Sequence, residues 1–273
     1  SGSAATGGDT VQFDLAKAAE ATKDKGSADI NLALDVTSKG KSQALTVTGK
    51  ADFKNAKVDL SMDLAKLLAD NGVPTGDGKV QVLVDSKKVW VHLPKVQGLA
   101  LPGGQSWISL DLQTLTDKFG LKDQAKKAAS EPVPPVKMTK VGTETLDGVE
   151  VTHYKAAATL RELINSVQGS DKQRKDAIAG LEKQDGGKKL LDDALPAEIW
   201  VDSGNVLHRV KVDLKVDSAG DAAEAKLDLT LSNFGTPVTI TPPAAGETFD
   251  ATQFLESAAD GIKNSVTKSL KTS

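Results

Sequence analysis

Long runs in which apolar and polar residues alternate one for one dominate this chain, and a period of two marks β-strands with one buried face. Ile30, Leu32, Leu34 and Val36 alternate with Asn31, Ala33 and Asp35. Leu45, Val47, Gly49, Ala51 and Phe53 alternate with Thr46, Thr48, Lys50 and Asp52, and Val58, Leu60, Met62 and Leu64 with Asp59, Ser61 and Asp63. Turns at Lys39-Gly40-Lys41 and Lys54-Asn55 join these runs into an antiparallel meander. After a helical piece over residues 65–71, Val80, Val82 and Val84 predict a strand, and Val89, Val91 and Leu93 its hairpin partner. A Gly- and Pro-rich loop with exposed apolar residues follows over 94–104, and Trp107, Ile108 and Leu110 resume a strand.

Residues 111–130 read as helical, with Leu112, Leu115 and Phe119 on one face, and Pro132, Pro134 and Pro135 stop the segment at a natural midpoint. The second half repeats the logic. A strand over 137–146, an Asp147-Gly148 hairpin turn and a partner over 149–159 precede a helical stretch over 160–193. Strands over 198–202, 206–216 and 224–234 complete the pattern. Two such meanders suit one continuous sheet, so the sequence favours one domain over 10–250. Residues 1–9 read as a flexible tether or tag remnant. Residues 251–273 read as an amphipathic helix carrying Phe254, Ala258, Ile262, Val266 and Leu270, which docks on the domain, a partner or a membrane.

The 273 residues carry 34 Lys and Arg against 37 Asp and Glu, a formal charge of -3. Both signs are scattered, which argues against nucleic acid as a partner. Cysteine is absent, which excludes disulfides, thiolate metal sites and cysteine nucleophiles. No run approaches the roughly 20 apolar residues of a membrane span.

The three histidines, His92, His153 and His208, each fall within a strand and far from one another in sequence. Local motifs for metallohydrolases, serine hydrolases and calcium loops are missing. Residues 72–79 imitate a phosphate loop, but Val80 stands where a hydroxyl is required, and Asp217, Asp221 and Glu224 read as a solvated hairpin tip. The sequence calls for no metal, no cofactor and no catalysis. With six Phe, one Tyr and three Trp, aliphatic side chains dominate the apolar surface. Such surface suits flexible hydrocarbon, which asks for area and not for polar partners.

Four blocks carry a family resemblance: residues 141–154, Val-Gly-Thr-Glu-Thr-Leu-Asp-Gly-Val-Glu-Val-Thr-His-Tyr; 195–202, Leu-Pro-Ala-Glu-Ile-Trp-Val-Asp; the hairpin 206–214; and 234–243, Phe-Gly-Thr-Pro-Val-Thr-Ile-Thr-Pro-Pro. In order and spacing the chain resembles the actinobacterial LppX/LprG-type lipoproteins over roughly residues 10–250, within the wider LolA/LolB-like class. The resemblance implies an α+β fold: a single strongly curved antiparallel sheet, a half-barrel of about ten or eleven strands, with helices covering the concave face and an apolar cavity between. It also implies an extracytoplasmic, non-enzymatic carrier for the acyl chains of lipids or glycolipids at the cell envelope. Anchoring to the outer face of the cytoplasmic membrane would use an N-terminal lipid-modified cysteine absent from this sequence, and a transporter or signalling protein is a candidate partner. The alternative within the same class is a LolA-like envelope sensor that binds a signalling protein.

The inward phase of the strands gives the lining candidates: Leu32, Leu34, Val47, Phe53, Leu60, Met62, Val82, Val91, Ile199, Val212, Leu214 and Leu229. Leu163, Ile164 and Val167 are the helical lid candidates. Core and cavity wall use the same side chains, so the sequence leaves that division open.

Overall fold

The computed structural model of the chain describes residues 8–73, 76–96, 100–118, 134–166, 171–184, 186–218 and 221–254. In chain order its elements are β1 (Thr10–Phe13), α1 (Leu15–Asp24), β2 (Ser27–Ser38), β3 (Lys41–Asp52), β4 (Lys57–Asp63), α2 (Ala65–Asp70), β5 (Lys79–Val84) and β6 (Lys88–His92). They continue with β7 (Trp107–Asp111), α3 (Leu112–Lys118), β8 (Val136–Leu146), β9 (Val149–Ala156), α4 (Leu160–Ser166), α5 (Asp171–Glu182) and α6 (Gly187–Asp192). β10 (Ala197–Asp202), β11 (Leu207–Ser218), β12 (Asp221–Ser232) and β13 (Thr248–Asp250) follow. The thirteen strands form an open, mostly antiparallel sheet. The chain divides into two compact units, Ser1–Thr46 with Pro132–Thr236, and Val47–Glu131 with Pro237–Ser273.

In the first unit the strand order is β1-β8-β9-β10-β11-β12-β2. The Asp147-Gly148 turn between β8 and β9 has φ of 49° and 79°, the doubly positive conformation that a two-residue hairpin of this twist demands and that Asp-Gly supplies. Asp14 caps α1, its Oδ1 accepting the Lys17 N–H at 2.9 Å. Reciprocal bonds start α4: the Glu162 N–H reaches Thr159 Oγ1 at 3.1 Å and the Thr159 N–H reaches Glu162 Oε2 at 2.9 Å. Arg161 then ties α4 to its neighbours, with Nε on Asp192 at 2.5 Å and Nη2 on Glu182 at 2.8 Å.

The buried cluster of this unit, Phe13, Ala18, Val136, Met138, Ala158, Ile199 and Val201, joins α1 to the sheet end around β1, β8 and β10. The opposite sheet face is charged and ordered by sign. Lys155, Glu198, Lys211 and Asp228 face one another across β9-β10-β11-β12, and Asp213, Lys226 and Asp35 do so across β11-β12-β2. β10, β11 and β12 thus each meet opposite charge on both sides, the favourable cross-strand arrangement.

The second unit runs from the end of β3 through β4-β5-β6-β7 to β13, which pairs parallel with β7. Gly49 has no substitute here, because a Cβ at that position would sit 1.9 Å from the Asp59 carbonyl oxygen on β4. Gly49→Ala is expected to cost about 1–3 kcal/mol, since relief requires moving one strand from its partner. A fall in the urea midpoint at unchanged slope would show it, and an unaltered midpoint would refute the close approach.

The thirteen strands among the described residues exceed the ten or eleven read from alternation. The additional two are β1, of four residues, and β13, of three, and both are too short to display a period. The helical reading of 65–71 corresponds to α2, and that of 111–130 begins as α3. The remainder of that segment, most of the 1–9 tether, the loop tip at 97–99, Val167 and nearly all of the amphipathic C-terminal segment lie outside the described residues.

Candidate functional site

Directly opposed residues of an antiparallel ladder share a face, so the registers assign the candidates to faces without ambiguity. In the second unit one row runs Gly49, Leu60, Val82, Val91 and Ile108. A flanking row runs Val47, Met62 and Val80, and another runs Ala51, Val58, Val84, Val89 and Leu110. The face they form is aliphatic throughout. In the first unit Leu34, Leu227, Val212 and Ala197 make one row, Leu32, Leu229, Val210 and Ile199 a second, and Val36, Ala225 and Leu214 a third.

Their exposure divides them. Ile199 is 5% exposed and belongs to the packed cluster, Leu163 packs against that cluster, and Val47 is 9% exposed. Ile199 and Val47 are thus buried, whereas Leu163 is itself half buried. Leu32, Leu34, Leu60, Met62, Val82, Val91, Val212, Leu214 and Leu229 are only half buried, although each sits amid aliphatic neighbours. Phe53 follows β3 in the turn and Ile164 lies on α4, both also half buried. Residues that sequence patterning places in the interior are therefore left partly uncovered along whole rows.

Beside the apolar face of the first unit lies a notch that alternation did not reveal. β10 has six residues against twelve in β11, and Pro196, lacking an N–H, precedes β10. Its carbonyl accepts the Asp213 N–H at 2.9 Å next to the Ala197–Val212 pair, the first in the register between β10 and β11. Two adjoining pockets occupy this place. One, of about 460 Å³, is lined by Lys155, Ala156, Leu195, Glu198, Asp213 and Lys215 among others. Another, of about 240 Å³, adds Lys189, Leu190, Asp193 and Leu214.

Behind the notch, His153 is 7% exposed and stacks on Trp200 with ring centroids 4.2 Å apart. Its Nε2 lies 2.5 Å from Glu198 Oε2 and its Nδ1 3.0 Å from Glu144 Oε1. The Arg209 guanidinium lies 5.2 Å from the centre of the Trp200 ring and holds Asp228 through two bonds, of 2.8 and 2.5 Å. In the sequence only His153, flanked by Thr152 and Tyr154, hints at this group, because its partners come from four other strands.

The hydrogen bonds from Arg209 hold the Asp228 carboxyl below the usual carboxylate range, against an opposing push from burial. A carboxyl whose folded value is depressed stabilises the fold above its ordinary value, and that stability is lost as the pH falls through the folded one. Acid titration of stability should therefore show a decline below about pH 4 that is shallower in Asp228→Asn. Parallel acid curves for the two proteins would contradict the assignment.

Among the described residues no group of three or more His, Asp or Glu is arranged for a metal ion, and no helix is long and apolar enough to cross a membrane. No protein-family model matches the chain, and no curated protein does. Among solved structures, the lipoprotein LppX of Mycobacterium tuberculosis aligns over 83% of this chain and 96% of its own, at 16% identity and a TM-score of 0.41. The chain is similar to LppX. Beside LppX stands LprF from Mycobacterium bovis, at 20% identity and a TM-score of 0.37, covering 85% of this chain and 95% of LprF. A putative outer membrane lipoprotein-sorting protein domain from Vibrio parahaemolyticus follows at 8% identity and a TM-score of 0.24, covering 82% and 92%.

Proposed function

We propose that this chain is an extracytoplasmic lipoprotein-type carrier that holds the acyl chains of lipids or glycolipids against the aliphatic face of its sheet, in an apolar cavity, and carries or presents them at the cell envelope. The observation that carries this reading is the run of half-buried Leu, Val and Met side chains aligned row upon row by the registers. Exposing a methylene to water costs about 0.8 kcal/mol, so a sixteen-carbon chain faces roughly 12 kcal/mol in crossing water unaided. An aliphatic face without hydrogen-bonding groups offsets that cost and asks no polar match of the chain.

Organic extraction of natively purified protein followed by mass spectrometry is expected to yield lipid in stoichiometric amount. Repeated lipid-free preparations that also fail to take up lipid would sink the proposal, and a stable complex with a signalling protein in their place would favour the envelope-sensor reading.

A further inference from the structure

The strands at the two ends of the sheet order are short, β1 with four residues and β13 with three, and a short edge is one way in which a sheet avoids pairing with other chains. A stretch of β3 lacks that protection. β3 spans Lys41–Asp52, but its register with β4 covers only Val47 to Asp52. Residues 41–46 have β2 on one side, and among the described residues no strand lies on the other. All of them are exposed except Leu45, which is half buried.

Other open stretches are blunted. β8 extends beyond its pairing with β1, yet its register with β9 shifts between Lys140 and Gly142, and β11 extends beyond Pro196 but carries Lys215 and Asp217 there. The run Ser42-Gln43-Ala44-Leu45-Thr46 has no charge, no Pro, no Gly and no bulge. It is also firmly backed. Thr37 Oγ1 and Ser42 Oγ lie 2.7 Å apart, and β2 is paired with β12 from Asp29 to Ser38. The outward N–H and C=O groups of 41–46 are therefore held at strand spacing, with little order left to impose on binding.

We propose that residues 41–46 of β3 form a docking edge for an extended segment of a partner protein, which joins the sheet as one further antiparallel strand. Extended polypeptide is the ligand whose alternating donors and acceptors match such an edge. A second copy of this chain fits it poorly. In a two-fold antiparallel pairing of β3 with itself, opposed residues share a face, so the pairing centres on a single residue. Centring on Gln43 sets Lys39 opposite Val47, and centring on Ala44 sets Lys41 there, although Val47 is already paired with Met62. Centring on Ser42 joins only three residues of each strand, and centring on Lys41 opposes like charges. A separate strand fills all six positions. Lys41, Gln43 and Leu45 lie on the face of Val47, so the segment carries an apolar residue opposite Leu45 and an acidic one opposite Lys41, with small or β-branched residues opposite Ser42, Ala44 and Thr46.

The test uses the full chain and an end-blocked, fluorescein-labelled hexapeptide, Thr-Val-Thr-Val-Thr-Glu, with two further forms N-methylated on alternate residues, one set per peptide. Successive N–H groups of a strand point to opposite sides, so by fluorescence polarisation one methylated form should keep its affinity and the other lose at least about tenfold. Ser42→Asp with Ala44→Asp, both at exposed positions, should weaken the parent peptide at least about tenfold at an unchanged melting temperature. Alternate amides within 41–46 should exchange at least about tenfold more slowly when the peptide is bound. No binding of the parent peptide up to about 1 mM, equal affinity of the two methylated forms, or protection elsewhere than 41–46 overturns the assignment. Sedimentation of the chain alone should show a monomer; a dimer that Ser42→Asp with Ala44→Asp dissociates would give this edge to a second copy and overturn the partner assignment as well.

Discussion

Trp200→Ala is expected to lower stability by about 3–5 kcal/mol, the range for removing a large aromatic from a packed site. Trp200 is 4% exposed on the sheet face that is otherwise charged, roofed by His153 and Arg209. Removal leaves a void and also strips the ring against which an imidazole and a guanidinium are ordered. The melting temperature should fall by roughly 10 °C, taking about 2–4 °C per kcal/mol for a chain of this size. Trp200→Phe should restore most of the loss. A shift of a degree or two in Trp200→Ala would show that the ring is not what organises this face.

Val212→Trp is expected to do the reverse, weakening lipid uptake about tenfold or more with little change in melting temperature. Val212 is half buried in the row with Leu34, Leu227 and Ala197, so under the proposed acyl binding an indole there would take the place of part of the chain. Excluding two methylenes from contact, at about 0.8 kcal/mol each, suffices for that factor. Displacement of a fluorescent fatty acid reads the affinity directly. Marked destabilisation with normal uptake would place Val212 in the core alongside Ile199.

Sequence periodicity went far with the strands because one-sided burial writes itself into the chain residue by residue. β2, β4, β5 and β11 lie where their alternation puts them, and the Asp147-Gly148 turn sits where its chemistry demands. β1 and β13 escaped because four and three residues hold too little pattern, and because β13 takes its place by pairing with β7 from far along the chain. The registers align Leu60, Val82 and Val91 in one row, while alternation says nothing of depth. Ile199 has the same aliphatic character as Leu229, yet the cluster formed with α1 and Ala158 covers the end of the sheet where it lies. The notch was invisible for a different reason. Lys155, Glu198 and Lys215 are ordinary outward residues of three strands, and only the register, with the late start of β10 after Pro196, gathers them.

The aliphatic rows pose a difficulty for the folding chain that the charged face resolves. Leu227, Leu229 and Leu231 are near equivalents, so a slip of two residues between β11 and β12 would still set apolar side chains against one another along most of the row. On the other face it would not pass unnoticed. Sliding one way sets Lys211 against Lys226 and Asp213 against Glu224, and sliding the other sets Asp213 against Asp228 and Lys215 against Lys226, where the native register joins opposite signs. The charged face thus works as a proofreading code for an aliphatic face that cannot tell its own positions apart, and the alignment of the strands is written on the side opposite the rows of Leu and Val.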